Sequence, residues 1–335
     1  MGGRLDPAVA LARRLVGAQL TDLPASSMVL VALSGGTDSL ALAAATAFVA
    51  PRTALRWGAV VVDHCLQETS AAVAARAAEQ AEALGAERVL TTRVHVETAT
   101  GDGPEAAARD ARYRALTEVA AAENASAILL GHTRDDQAET VLLGLGRGSG
   151  SRSLAGMAPR SGPFRRPLLT MSRQQTAAVC TATGMRPWHD PHNDDLAYTR
   201  VRVRRRLLPA LEAELGPGVA ASLARTADQL RADANLLDRL AADLYDSIRV
   251  ATPMSGAALR VEALERAAPA LRRRVLRLLA LEAGAPGGDL SATHVGELER
   301  LVTSWHGQRH LDLPGRLRGE RADGVLRVVP GGVGR

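Results

Sequence analysis

The chain has 335 residues, 46% of them hydrophobic, and this length predicts two domains that each bury a core of their own. Cys65 and Cys180 lie far apart and form no Cys-x-x-Cys pair, which argues against a disulfide framework, a structural zinc site and sulfur-relay chemistry. All 41 basic residues are arginine, so the lysine-containing loop of P-loop NTPases is excluded. No apolar run is long enough to span a membrane and the N-terminus lacks a signal pattern, so we expect a cytoplasmic location.

Short apolar runs alternate with alanine-rich stretches in the first half of the chain. Because strands separated by helices of about 10 to 20 residues form right-handed βαβ units, this alternation predicts a parallel sheet covered on both faces. The predicted strands are residues 28–33, 57–64, 88–96 and 127–130. The predicted helices are residues 38–50, 70–84, 104–124 and 135–145.

The second half has a different pattern. Its periodicity predicts helices over residues 207–215, 220–248, 261–282 and 292–303. The only strand pairing predicted there is a terminal hairpin of residues 310–313 and 324–329, around the turn-rich segment 315–323. We therefore predict an α/β domain over residues 1–206 and a smaller, mainly helical domain over residues 207–335.

A glycine-containing polar segment, Ser34-Gly35-Gly36-Thr37-Asp38-Ser39, joins the first predicted strand to the first predicted helix. A helix N-terminus offers N–H donors and a favourable dipole to a polyphosphate, and the two glycines allow the backbone to approach it closely. The hydroxyls of Ser34, Thr37 and Ser39 can add hydrogen bonds. Asp38 would repel a phosphate, so we expect it to bind Mg²⁺. The segment resembles the signature Ser-Gly-Gly-x-Asp-Ser of the PP-loop ATP pyrophosphatases (adenine nucleotide α-hydrolase-like fold), which cleave ATP to AMP and pyrophosphate.

Polar residues also follow two of the other predicted strands. Asp63 and His64 end the second strand, and Gly131 and His132 follow the fourth. The carboxyl ends of parallel strands are where such sheets bind ligands, so we expect these residues to bind the nucleotide as well. For His64, capping of the next helix stays open as the alternative.

Two predicted helices carry charged residues at helical spacing. Glu105, Arg109 and Arg112 share one face, a pattern that either a surface ion-pair ladder or a functional site explains. Asp136 and Glu139 lie three residues apart at the start of a helix and can present two carboxylates to one point. The helix dipole also favours acids in a first turn, so the spacing alone leaves both explanations open.

The positive charge is concentrated in one segment. Residues 141–210 hold 12 arginines against three acidic residues, whereas residues 1–140 hold 12 arginines against 17 acidic residues. This excess predicts a phosphate-rich partner, with an ordinary solvated surface as the alternative. The arginines expected to contact an RNA backbone are Arg147, Arg152, Arg165, Arg166, Arg200, Arg202, Arg204, Arg205 and Arg206.

Together these segments resemble the tRNA(Ile)-lysidine synthetase family over most of residues 28–211. The most specific parts are Asp-Asp-Gln-Ala-Glu-Thr at residues 135–140 and Arg-Gly-Ser-Gly at residues 147–150, and Leu-Ala-Gly-Met follows at residues 154–157. The chain departs from the family at Thr133, where a second histidine is usual, and at residues 65–67, where Gly-Leu-Arg is usual.

The resemblance implies an enzyme that joins free L-lysine to C2 of the wobble cytidine of the isoleucine tRNA with a CAU anticodon. The cytosine oxygen would attack the α-phosphorus of ATP, and the ε-amine of lysine would then displace AMP. The resemblance further implies Mg²⁺ on Asp38, Arg112 at the α-phosphate, and Asp136 with Glu139 around the lysine ammonium, where a carboxylate accepts its proton. The helical domain would select the tRNA, and the oligomeric state, monomer or homodimer, stays open.

Two other classes of function are compatible with the sequence alone. One is a different PP-loop ATP pyrophosphatase, either a tRNA thiolase or an enzyme that acts on a small molecule. The other is a non-catalytic nucleotide-binding or RNA-binding protein that keeps the phosphate loop.

Overall fold

The computed structural model describes residues 5–63, 70–94, 104–148, 150–251, 256–307 and 310–331. The chain divides into two compact units, Met1–Arg231 and Ala232–Arg335. This division falls inside one long helix, whereas the change of sequence pattern predicted a boundary after residue 206. Of the helices in the described ranges, none is both long and apolar enough to cross a membrane.

A six-stranded sheet in the order β3-β2-β1-β4-β6-β5 forms the centre of the first unit. Its strands are β1 (Met28–Leu33), β2 (Arg56–Asp63), β3 (Arg88–Arg93), β4 (Ala125–Leu129), β5 (Arg160–Ser161) and β6 (Phe164–Arg165). Neighbouring strands are parallel except for the short β5–β6 pair. The four predicted strands are confirmed as β1 to β4, although the predicted third strand extends past the described residues.

Ten α-helices of the described ranges belong wholly or partly to this unit. They are α1 (Pro7–Leu20), α2 (Thr37–Val49), α3 (Ser70–Ala83), α4 (Pro104–Ala122), α5 (Arg134–Gly146), α6 (Gly150–Leu154), α7 (Arg173–Thr183), α8 (Thr199–Arg202), α9 (Leu208–Leu215) and α10 (Val219–Ile248). Helices α2 to α5 confirm the predicted ones. Helices α1 and α7 were not predicted, and both pack against α2.

The central strand β1 is buried on both faces, as expected for the middle of a parallel sheet. Successive residues of β1 alternate between two cores, because side chains of a strand point to opposite faces. Val29 and Val31 lie in the core formed with α1, α2 and α7, and Leu30 lies in the core to which α4 contributes Leu116. The alanine, leucine and valine content of the chain is thus sufficient for two cores.

The second unit contains more strand than the predicted helical domain. Its antiparallel sheet has the order β7-β8-β11-β10-β9. The strands are β7 (Arg249–Val250), β8 (Ala257–Arg260), β9 (Leu311–Leu313), β10 (Leu317–Ala322) and β11 (Val325–Pro330), and the helices are α11 (Val261–Arg266), α12 (Pro269–Glu282) and α13 (Ala292–Thr303). The hairpin prediction was wrong in its pairing, because β10 occupies the segment predicted as a turn. The predicted helix 261–282 is interrupted, since the residue before Pro269 is forced out of helical geometry.

The segments 135–140 and 154–157 of the family pattern contact each other through one amide side chain. Gln137 accepts from the backbone N–H of Met157 at 2.7 Å and donates to its carbonyl at 3.0 Å. A Cβ on Gly156 would lie 2.7 Å from Oε1 of Gln137, so this close approach requires glycine.

Gly156→Ala should therefore destabilise the first unit. Gly162 is a matched control, because both glycines have a positive φ (+60° and +56°) but a Cβ on Gly162 would meet no atom within 4 Å. We expect Gly156→Ala to lower the free energy of unfolding by about 1–3 kcal/mol more than Gly162→Ala does. Urea denaturation of both variants measures the difference, and equal losses would contradict the proposed steric contact.

Candidate functional site

The loop after β1 lies at the point where the order of the sheet reverses. The chain runs from β1 outward to β2 and β3, and then returns to place β4 on the other side of β1. The carboxyl ends of β1 and β4 therefore border a crevice, which is the usual ligand-binding position in such sheets. Gly131 follows β4 and lies against this loop, because a Cβ there would be 3.0 Å from the backbone of Asp38 and Ser39.

The first turn of α2 has backbone N–H groups without a side-chain cap. Its N-cap residue is Gly36, which has no side chain to accept from the first turn, whereas Asp6 caps α1 and Ser172 caps α7. Gly35 adopts a φ of +77° that favours glycine. The hydroxyl of Ser39 donates to the carbonyl of Gly36 at 2.9 Å and so shapes the loop. The result is a helix N-terminus able to receive a phosphate.

A cavity of about 620 Å³ opens above this loop. Its volume falls within the range of about 300–1,000 Å³ that is usual for ligand pockets. The residues that line it are Ala32, Ser34, Gly36, Thr37, Asp38, Ser39, Arg112, Gly131, His132, Asp136, Arg173, Ala177, Trp188, His189, Asn193, Arg204 and Arg205. Residues from β1, α2, α4, α5, α7 and the segment before α9 thus meet at one place.

Arg112 and His132 contribute polar groups to this cavity. Arg112 has no hydrogen-bond or ion-pair acceptor among the described residues, and burial lowers the pKa of its guanidinium. Burial also lowers the pKa of His132 to about 3, so its imidazole is neutral at physiological pH. Nδ1 of His132 is buried and has no hydrogen-bond partner among the described residues. Because Arg112 lines the cavity and has no acceptor in the described part of the chain, its guanidinium is suited to an anionic ligand.

Asp38 lies in the first turn of α2, in an environment that disfavours its ionised form. Burial raises its pKa to about 6, although Thr176 donates a hydrogen bond of 2.5 Å to its Oδ1. The described residues contain no group of three or more His, Cys, Asp or Glu side chains that could hold a metal. A single carboxylate nevertheless fits Mg²⁺, which keeps several waters and takes other oxygens from substrate phosphates.

Asp136 and Glu139 face three arginines. Glu139 accepts from Nη1 of Arg173 at 2.7 Å, from Nε of Arg200 at 2.8 Å and from Nε of Arg204 at 2.8 Å. Asp136 accepts from Nη2 of Arg173 at 2.5 Å. Helix α5 places the two carboxylates on one face, as the spacing predicted, and the arginines come from α7, α8 and the segment after α8.

The arginines keep these carboxylates ionised. Burial opposes ionisation of Asp136, but Arg173 and Arg200 outweigh it and lower its pKa to about 2. Burial likewise opposes ionisation of Glu139, and its hydrogen bonds from Arg204 and Arg173 lower its pKa below the ordinary value. Thr133, at which the chain departs from the family, also stabilises the ionised form of Asp136. Its backbone N–H and its hydroxyl donate to Oδ2 of Asp136 at 2.8 and 2.9 Å.

Not all predicted RNA-contacting arginines are on the surface. Arg165 is buried and forms a salt bridge with Asp22, and Arg166 is buried and donates to the carbonyl of Ala158 and the hydroxyl of Tyr113. Arg200 and Arg204 point toward Glu139. The predicted arginines with exposed side chains are Arg147, Arg152, Arg202, Arg205 and Arg206. His64 lies outside the described residues, as does the side chain of Asp63.

Several site residues were missed by the sequence analysis. Arg173 bonds Asp136 and Glu139, and its Nε lies 3.8 Å from Oδ2 of Asp38. Thr176 holds Asp38. The only local signal in this region is the capping box of Ser172 and Gln175 at the start of α7, which predicts a helix but no partner for Arg173.

Cys180 is the only cysteine within the described ranges. It is buried, its thiol donates to the carbonyl of Thr37, and burial raises its pKa to about 12. A thiol with such a pKa stays protonated and is a poor nucleophile.

The neutral state of His132 should appear in the pH dependence of stability. Its folded-state pKa of about 3 lies below its ordinary value of 6.5, so its contribution is complete above pH 6.5 and is lost as the pH falls. From pH 7 to pH 5 the wild-type protein should lose about 2 kcal/mol more unfolding free energy than His132→Gln. Asp38, whose pKa is raised, makes the free energy of unfolding change with pH in the opposite direction in this window. Because Asp38 is present in both proteins, its effect cancels in the comparison. Parallel curves from urea titrations would contradict the expectation.

Comparison with known protein families gives two matches. Residues 10–211 match the PP-loop domain family, and residues 259–326 match the TilS substrate binding domain family. The fold of the chain is also similar to that of a U34-tRNA thiolase, NcsA from Methanococcus maripaludis. That likeness has a TM-score of 0.55 at 19% identity and covers 67% of this chain and 79% of the thiolase.

Curated relatives align over nearly the whole chain. The tRNA(Ile)-lysidine synthase of Thermobifida fusca is 54% identical over 96% of this chain and 98% of its own length. The enzyme of that name from Streptomyces coelicolor is 51% identical over 92% of this chain and 87% of its own length, and that from Mycobacterium tuberculosis is 48% identical over 88% and 89%. Since identity and coverage are this high, the chain belongs to the tRNA(Ile)-lysidine synthase family.

Proposed function

We propose that the chain uses ATP to ligate L-lysine to C2 of the wobble cytidine of the isoleucine tRNA with a CAU anticodon. The observation that supports it best is that one cavity brings together the open N-terminus of α2, the guanidinium of Arg112 and the carboxylate of Asp136. These groups suit a triphosphate, the phosphorus to be attacked, and an incoming ammonium. The products are lysidine, AMP and pyrophosphate.

In the first step the cytosine O2 attacks the α-phosphorus of ATP and pyrophosphate leaves. We assign the backbone N–H groups of the Ser34–Ser39 loop to the phosphates that depart, and Arg112 to the α-phosphate, where preorganised positive charge stabilises the transition state. Asp38 would hold Mg²⁺, which supplies charge neutralisation to the phosphates. His132 stays neutral and can take part in a hydrogen bond to the nucleotide through Nδ1.

In the second step the ε-amine of lysine attacks C2 and AMP leaves. We assign Asp136 and Glu139 to the lysine ammonium, because Asp136 lines the cavity and Glu139 lies beside it on the same face of α5. A pKa of about 2 makes Asp136 an effective electrostatic partner but a weak proton acceptor while its arginines remain in place. The attacking amine must lose a proton, since its free pKa is about 10.4.

The exposed arginines Arg147, Arg152, Arg202, Arg205 and Arg206 are our candidates for contacts with tRNA phosphates. Such contacts position the RNA without reading its sequence. We assign tRNA selection to the C-terminal part of the chain, and the match of residues 259–326 to a substrate binding domain supports this assignment.

The test is incubation of the full chain with labelled lysine, ATP, Mg²⁺ and a transcript of the isoleucine tRNA, followed by nucleoside analysis. We expect the label in one modified cytidine, with AMP and pyrophosphate released in equal amounts. A transcript with uridine in place of the wobble cytidine is the matched control and should incorporate no lysine. Release of AMP without lysine in the nucleoside would contradict the proposal.

A further inference from the structure

Glu139 has no exposed surface and its hydrogen-bonding capacity is filled. Its side chain is 0% exposed. Its Oε1 accepts from Arg173 and Arg204, and its Oε2 accepts from Arg200 at 2.8 Å and from Nη2 of Arg204 at 3.3 Å. An ammonium could therefore reach Glu139 only if one of the three guanidinium groups moved away.

Arg204 is the arginine placed to move. It lines the cavity above the phosphate loop and also forms two hydrogen bonds with Glu139. Its side chain is 25% exposed, so it is accessible from the cavity. Its other contacts are weak, a hydrogen bond of 3.4 Å to Asn193 and an approach of 3.9 Å to Asp136. Arg173 also lines the cavity and is 28% exposed, but it bonds Asp136 at 2.5 Å and Glu139 at 2.7 Å, so its movement would break close bonds to both carboxylates.

The side chains that form ion pairs with one another in this cluster balance in charge without a substrate. Three carboxylates, those of Asp38, Asp136 and Glu139, face the three guanidinium groups. An added ammonium would make this partly buried cluster positive, which is costly because its groups are partly removed from water. Phosphate oxygens that enter the cavity would supply the missing negative charge and a new partner for Arg204.

We propose that Arg204 couples phosphate binding to lysine binding. A phosphate in the cavity draws its guanidinium away from Glu139, and the freed carboxylate then binds the lysine ammonium. This inference rests on the proposed function and adds an order of binding to it. Coupling between two binding sites is reciprocal, so lysine should also tighten the binding of the phosphate ligand by the same factor.

The experiment measures the dissociation constant of labelled lysine by equilibrium dialysis with the full chain and Mg²⁺. Its arms contain lysine alone, lysine with α,β-methylene ATP, lysine with the tRNA transcript, and lysine with both. We expect the wild-type protein to bind lysine about 5- to 150-fold more tightly in an arm with phosphate, the usual range of coupling between sites. The arms show whether the phosphate comes from the nucleotide or from the RNA.

Arg204→Gln should bind lysine more tightly than wild type when no phosphate is present, and its coupling factor should fall toward one. Arg204→Lys keeps the charge but lacks the planar fork that bonds both oxygens of Glu139, so its coupling should be intermediate. The control is Arg225→Gln, which removes an exposed arginine that bonds Ser222 in α10 and should keep the wild-type coupling.

Equal lysine affinity in all four wild-type arms would overturn the inference, and so would undiminished coupling in both Arg204 variants. Lysidine formation is assayed on the same wild-type preparation. If lysidine forms and coupling is absent, only the role of Arg204 fails. If no lysidine forms with every substrate present, the proposed function fails.

Discussion

Glu139→Gln should lower the free energy of unfolding by about 3 kcal/mol, the lower end of the range for breaking a buried ion pair, because it removes a fully buried carboxylate from three arginines that are only partly exposed. The substitution keeps the shape of the side chain, removes its charge and replaces one of its two acceptor oxygens with an amide NH2 group. It should also abolish lysine incorporation, since the cluster would then hold three guanidinium groups against two carboxylates, and its net positive charge would repel the ammonium. Urea denaturation and the labelled-lysine assay measure the two effects.

The control for Glu139→Gln is Glu118→Gln, at an exposed glutamate of α4, which should change stability by less than about 0.5 kcal/mol. The pKa of Glu139 is lowered from its ordinary value of 4.5, so its contribution is present above that pH and is lost as the pH falls through the lowered pKa. The difference between wild type and Glu139→Gln should therefore shrink on acidification below pH 4.5. A loss that did not depend on pH would show that charge is not its cause.

Asp38→Asn should act in the opposite direction on stability and still inactivate the protein. The raised pKa of about 6 means that the ionised carboxylate is unfavourable in the folded state at neutral pH. Asparagine removes this charge and keeps an oxygen that can accept from Thr176. At pH 7 we expect the free energy of unfolding to rise by about 1–3 kcal/mol. The gain should disappear toward pH 4, where Asp38 is protonated in the folded protein.

The same substitution should slow pyrophosphate release by about 10²–10³-fold, the effect of removing one preorganised electrostatic group. A residue that costs stability and is required for activity is typical of a functional site. Asp22→Asn is a suitable control, since Asp22 pairs with Arg165 away from the cavity and its pKa is lowered, not raised. Full activity of Asp38→Asn would contradict the assignment of Mg²⁺ binding to this residue.

The phosphate loop could be recognised because its signal is local. Ser34–Ser39 lies between an apolar strand and a helix, and the chemistry of a glycine-containing helix N-terminus depends only on residues adjacent in the chain. The same holds for β1 to β4 and for α2 to α5, whose periodicity is visible in windows of a few residues. Strand β8 was missed because it has only four residues, and its partners are the two-residue strand β7 and the strand β11, which is distant in the sequence.

The basic segment shows how a local count can mislead. Its excess of arginine predicted an RNA surface, yet Arg165 and Arg166 are buried and Arg173, Arg200 and Arg204 pair with carboxylates of the preceding segment. A count of the charges within one segment cannot show that carboxylates of another segment neutralise its arginines. Only the folded structure distinguishes the arginines that are buried or paired with carboxylates from those that face solvent.

The sequence by itself determined the parallel α/β class, the phosphate loop and the carboxylate pair on one helix face, because each follows from backbone periodicity or from neighbouring residues. The tertiary structure decided which charges meet. Glu139 and Arg173 are 34 residues apart, and they touch because β4 returns beside β1 and brings α5 next to α7. Contacts of this kind depend on the arrangement of whole elements, which no local pattern of residues encodes.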